Sequence, residues 1–190
     1  MEEDLKPEEV TPELVKSFNK PTKSFLCPLS ANTVNVRFVR YKIRDITSGI
    51  VLVDIQDDSA AGEDEKQEID EEDDEQRTIK YQFGPDFLKL KTIGTELEFT
   101  VGKAEVKGFL MIEKHFFKDT LLKEVEFNFG FCIPGSRNSW EVVYDMPELS
   151  PEMHKEMISS PWETRSDSFF FANGKLIMHT KAEYDYSPFE

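Results

Sequence analysis

Between Val125 and Ile133 every second residue is large and apolar: Val125, Phe127, Phe129, Phe131 and Ile133 alternate with Glu126, Asn128, Gly130 and Cys132. A period of two places successive side chains on opposite faces of a strand, whereas a helix would scatter these five around its circumference. The segment therefore predicts a strand with one apolar face that carries three phenylalanines. Such a face must be covered, either by the packed core of a sandwich or by something held in a cavity, and the alternation fits both.

The rest of the chain repeats the period. Val34, Val36 and Phe38 are followed by Val39, Tyr41 and Ile43, a change of phase that predicts a β-bulge with both Phe38 and Tyr41 facing inward. Residues Ile50 to Ile55 read as a short buried strand, and Ile79, Tyr81 and Phe83, then Leu97, Phe99 and Val101, alternate with polar residues. The sequence Ala172-Asn173-Gly174-Lys175 is a type I′ hairpin signal, after which Leu176, Met178, Thr180, Ala182 and Tyr184 fall on one face. Ser150-Pro151-Glu152 opens one short helix, with a hydroxyl at the N-cap, proline at N1, and Met153, Met157 and Ile158 on one side. About nine strands and one helix indicate an all-β sandwich or barrel.

The formal charge is −15, but its position matters more than its size. Residues 57–75 hold twelve Asp/Glu and one Lys, and residues 1–14 hold six and one, which leaves +1 on everything else. The expected organisation is a flexible arm over 1–24, containing one helical turn at Thr11-Pro12-Glu13-Leu14-Val15, and a single domain over 25–190 interrupted by a disordered acidic insert at 57–75. No basic footprint for nucleic acid is present. The N-terminus lacks the basic start and apolar stretch of a signal peptide, and no window approaches the roughly 18 apolar residues of a membrane span, so a cytoplasmic protein without stable membrane insertion is expected. Cys27 and Cys132 are expected to be reduced thiols.

Catalytic and metal motifs are missing. His115, His154 and His179 have no partner at a metal-ligand spacing, and neither a nucleophile elbow nor a phosphate-binding glycine loop occurs. Cys132 with His115 or His179 is the least implausible catalytic pair, yet a thiol within a strand lacks the stabilisation found at a helix start. The strand Phe109 to Phe117 puts Glu113 and His115 on the same face as Phe109, Met111 and Phe117. Either the two polar residues lie where the strand leaves the core, or they pair with each other two residues apart on one face, or they form a polar spot in an apolar cavity that meets a ligand's head.

Taken together, the segment Phe127 to Trp140, the run Glu163 to Phe171, Lys175-Leu176-Ile177-Met178-His179, Phe25-Leu26-Cys27, Phe38 to Asp45, Tyr81-Gln82-Phe83, Phe87 to Leu90 and Met111 to His115 resemble the Unc-one-nineteen (retinal protein four) family, relatives of the phosphodiesterase delta subunit. The resemblance implies an immunoglobulin-like β-sandwich with a lipid pocket between its sheets, no enzymatic activity and no cofactor. It implies that the N-terminal myristoyl group of cargo proteins, such as G-protein α subunits and ciliary proteins, is held there and released by an Arf-like GTPase in its GTP form. It adds the cilium to the expected location. Carried over residue by residue, the pocket should involve Phe38, Tyr41, Tyr81, Phe87, Glu113, His115, Val125, Met146, Phe170 and Tyr184. Val125 and Met146 stand where the family usually has Phe, and Phe170 where it has Tyr, so chain-length or cargo preference should differ. A prenyl carrier like the delta subunit, and an interaction module with a filled core, are the alternatives.

Overall fold

Two sheets face each other in the computed structural model, which describes residues 5–57 and 77–189. The first has the order β2-β1-β4-β7, with β1 Arg37–Asp45, β2 Val51–Gln56, β4 Thr92–Thr100 and β7 Arg137–Asp145, all antiparallel. The second has the order β3-β9-β8-β5-β6, with β3 Thr78–Gln82, β5 Val106–Phe117, β6 Thr120–Cys132, β8 Thr164–Ala172 and β9 Lys175–Asp185. Only β3 runs parallel to its neighbour β9 among these pairings. The all-β sandwich is thus the architecture, with nine strands among the described residues.

Local signals act where the sequence puts them. Asn173 and Gly174 both have positive φ (54° and 75°), the geometry of a type I′ turn, and Ala172 pairs with Lys175 across it. The bulge in β1 falls between Phe38 and Arg40 opposite β4, which turns Phe38 and Tyr41 to the same side. Helix α2 Pro151–Ser159 is capped by Ser150, whose hydroxyl accepts from the Met153 N–H at 3.1 Å, and it buries Met157. Helix α1 Pro12–Lys16 is capped in the same way by Thr11.

Four expectations are corrected. The alternation of β6 does not hold to its end: Gly130 adopts φ 85°, the register with β5 shifts there, and the phase inverts. Phe127 and Phe129 face the core, but Phe131 is 51% exposed and Cys132 is buried in its place. In β9 a bulge opposite Phe170 and Phe171 turns Ile177 inward and Leu176 outward. The segment 50–55 is not a buried strand, because β2 is an edge strand whose Val51 and Ile55 are exposed.

The fourth correction concerns the arm. Residues 5–24 lie on the outer face of the five-stranded sheet, where Val10 and Val15 are buried against Ile112, Phe169, Phe171 and Leu176, with Leu5 and Phe18 beside them. The sheet is apolar on both faces, and an apolar outer face must be covered. Polar pins fix the cover. The buried Lys114 donates to the carbonyls of Lys16 at 2.9 Å and Phe18 at 2.8 Å, at the C-terminal end of α1 where unpaired carbonyls collect, and pairs with Glu124 at 2.6 Å. Asp167 accepts from the Thr22 N–H at 2.8 Å and from His179 Nε2 at 3.1 Å, and pairs with Lys181 at 3.2 Å. Of the expected acidic insert, only Asp57 falls within the described residues.

Candidate functional site: a cavity between the sheets

The sandwich is filled at one end and hollow toward the other. A cavity of about 370 Å³ lies between the sheets, and a smaller one of about 50 Å³ adjoins it toward α2, sharing Tyr41, Glu113, Tyr144 and Tyr184 as walls. The large cavity opens between the edge strands β2 and β3, where Ile55 and Ile79, each about half exposed, both line it. These are apolar lips, which accounts for two large hydrophobic side chains left on sheet edges.

The ten residues singled out in the sequence all fall on these walls. Phe38, Tyr41, Tyr81, Glu113, Val125, Phe170 and Tyr184 line the large cavity, while Phe87, His115 and Met146 line the smaller one. Period-two alternation positions them: Met111 and Glu113 of β5 point inward while Ile112 and Lys114 point to the arm. Sequence reasoning missed Leu97, Val142, Tyr144, Ser166 and Ser168, which also line the large cavity. The serines had a usable signal, since Ser166, Ser168 and Phe170 share one face of β8 at spacing two.

Polar groups gather in a belt at the level of Glu113. His115 Nε2 lies 2.7 Å from Glu113 Oε1, and the Ser168 hydroxyl donates to Glu113 Oε2 at 2.8 Å. Ser166 Oγ and Tyr184 Oη are 3.0 Å apart. Glu113 and His115 therefore pair with each other, and they do so on the cavity walls, Glu113 on both cavities and His115 on the smaller one. Burial pushes the Glu113 carboxyl up, but the neighbouring His115 and the hydrogen bonds from His115 and Ser168 outweigh it and leave the group below the usual carboxylate range. Burial, followed by the field of Glu113, raises the Tyr81 hydroxyl to about 12, and raises Tyr184 and Tyr144 as well. Tyr41 is raised by burial, then by Tyr184 and Glu113. All four therefore keep their protons at neutral pH. Phe38, Leu97, Met111, Val125, Val142 and Phe170 give the walls their apolar stretch, and Arg40, Asp57, Thr95, Thr180 and Lys181 also line the cavity.

The thiol pairings considered in the sequence do not assemble. His115 is bound to Glu113, and His179 is engaged on the outer face by Leu26 N–H and Asp167. Burial raises both thiols, Cys27 to about 11. Among the described residues no group of three or more His, Cys, Asp or Glu is placed to hold a metal ion. No helix among them is long and apolar enough to cross a membrane.

The fold and its cavity define a class: a β-sandwich binding protein whose sheets part to enclose an amphipathic chamber. The model of the GMP-PDE delta subunit family matches residues 30–186. The chain is 46% identical over 187 residues to protein unc-119 homolog B of Danio rerio, 46% identical over 179 residues to protein unc-119 of Caenorhabditis elegans and 44% identical over 181 residues to protein unc-119 homolog B of Homo sapiens. Each comparison covers 94% of this chain and 72–80% of the relative. The chain belongs to the unc-119 family, within the wider group related to the GMP-PDE delta subunit.

Proposed function

We propose that this protein is a non-enzymatic lipid-binding chaperone that takes the N-terminal myristoyl group of cargo proteins into the large cavity and carries them, solubilised, between membranes. Its cargo would be N-myristoylated proteins such as G-protein α subunits and ciliary proteins, and an Arf-like GTPase in its GTP form would release them. It would work in the cytoplasm and toward the cilium. The observation that carries the reading is the Glu113 belt at the head of an apolar chamber, with family membership in support.

A magnitude explains why the belt matters. Burying about twelve methylenes gains roughly 10 kcal/mol at ~0.8 kcal/mol each, and a bilayer offers much the same. Transfer from membrane to cavity is therefore close to neutral, and discrimination rests on what hydrocarbon lacks: hydrogen bonds to the peptide that follows the acyl group. Glu113, Ser166, Tyr81 and Tyr184 supply acceptors and donors beside the opening. Glu113→Ala should weaken a myristoylated peptide by about 1–3 kcal/mol in a fluorescence anisotropy titration, the cost of losing a hydrogen bond to a charged group. Unchanged affinity would remove the belt from recognition.

Native mass spectrometry with one peptide in myristoylated, farnesylated and unmodified forms tests the function itself. Complexes with the myristoylated form alone are expected. Complexes with the farnesylated form alone would replace the proposal with a prenyl carrier, and complexes with none would leave an interaction module.

A further inference from the structure

Phe38 and Phe170 line the large cavity and are backed by a cluster of buried rings. Resting on the reading that an acyl chain enters the cavity, we infer that a layer formed by Phe38, Phe99, Phe109, Trp140 and Phe170 is a length gauge that sets the longest chain the protein accepts. Phe38 and Phe170 line the cavity with ring centroids 5.0 Å apart, and Phe99, Phe109 and Trp140 stand behind them at mutual centroid distances of 5.0, 5.2 and 5.5 Å. Phe127 and Phe129 press on Trp140 from β6 at 4.8 and 5.6 Å. Phe99 and Phe109 are fully buried, so the rings in front have no space to retreat into. An interior packed in this way yields to added methylenes only by forcing side chains off their preferred rotamers.

The geometry also fixes where a chain begins. Ile55 at the mouth pairs with Tyr41 of β1, and Ile79 pairs with Ala182, the partner of Ser166, so the polar belt borders the opening. From Glu113 to Phe109 along β5 is four residues, a depth of about 13 Å at ~3.3 Å per residue. Each methylene that finds space in this limb should strengthen binding about fourfold, and the first that meets the rings should add nothing or weaken it. A bilayer has no such floor. Lengthening the chain past the gauge thus favours the membrane over the cavity, and acyl groups longer than the limb are left in the bilayer.

The test is a titration of one glycine-initiated peptide carrying saturated N-acyl chains of about ten to eighteen carbons, read by competition in fluorescence anisotropy, on the unaltered protein, Phe170→Ala and Val125→Phe. Far-UV circular dichroism and the thermal midpoint show that each variant is folded. The unaltered protein should show an optimum. Phe170→Ala should move it toward longer chains by about two methylenes, and Val125→Phe, which adds a ring beside Glu113 at the head of the limb, takes up space there and should move it toward shorter ones. Affinity that climbs without a break to the longest chain, or one optimum shared by the unaltered protein and every folded variant, overturns the inference. Should one variant fail to fold, the other alone decides by the direction of its shift. If the unaltered protein binds none of the acylated peptides, the proposed function itself falls.

Discussion

Phe109→Ala should destabilise the protein by about 3–5 kcal/mol, whereas Phe131→Ala, on the neighbouring strand, should stay within ~0.5 kcal/mol of the parent. The two rings look alike in the sequence, each at an odd position of an alternating strand. In the fold Phe109 is fully buried among Phe99, Trp140 and Phe170, so its removal strips dispersion contacts and leaves a void that the sandwich cannot collapse around. Phe131 lies past the bulge at Gly130 and faces outward. Urea unfolding midpoints at equal slope would measure both effects. Similar losses for the two variants would mean that the outer face of β6 is covered.

A loss of similar size, about 3–5 kcal/mol, is expected for Asp167→Ala, which removes the hub that pins the N-terminal arm to the sheet. The carboxylate is buried and accepts from the Thr22 N–H, the Thr22 hydroxyl and His179 while pairing with Lys181, so its deletion leaves buried donors unpaired and the partly buried Lys181 ammonium without its counter-charge. Burial pushes the Asp167 carboxyl up, but His179 and Lys181 outweigh it and hold it below 3.8. Limited proteolysis should then cut within residues 5–24 well before the sandwich, and an arm that stays protected would refute this role.

The same cluster gives stability a dependence on pH. Leu26 N–H donates to His179 Nδ1 at 3.0 Å, so the ring proton resides on Nε2 and faces Asp167. Burial of the ring, helped by the nearby Lys181 and Arg77 charges, outweighs the pull of Asp167 and places His179 below its ordinary 6.5; protonating Nδ1 would also set one N–H against another. The unfolded chain therefore binds this proton first. The contribution of His179 is fully present above pH 6.5 and is lost as pH falls from there toward the folded value, and that of Asp167 follows in the same sense below 3.8. The thermal midpoint should decline between about pH 6.5 and 5, and His179→Gln should flatten that decline. A midpoint of the unaltered protein that is level across this range would show that His179 is not protonated only on unfolding.

By itself the sequence determined whatever depends on neighbours along the chain. Alternation marked the strands, the change of phase after Phe38 marked a bulge, Asn173-Gly174 marked the hairpin, and Ser150-Pro151 marked the helix start, because each is a statement about local backbone conformation. The tertiary structure decided which apolar faces are covered and by what. Gly130 adopts a positive φ at a register shift with β5, and only that pairing turns Phe131 out and Cys132 in. Residues 5–24 look loose because they are charged and proline-rich, but the outer faces of β5, β8 and β9 supply Ile112, Phe169, Phe171 and Leu176 as a seat, and buried Lys114 and Asp167 lock the arm there. A packed core and a hollow one share a single alternation pattern, since hydrophobicity along the chain records which face turns inward and not how far apart the two sheets stand. That separation is fixed by rings packing on rings at one end, and it leaves a chamber with Glu113 at its head at the other.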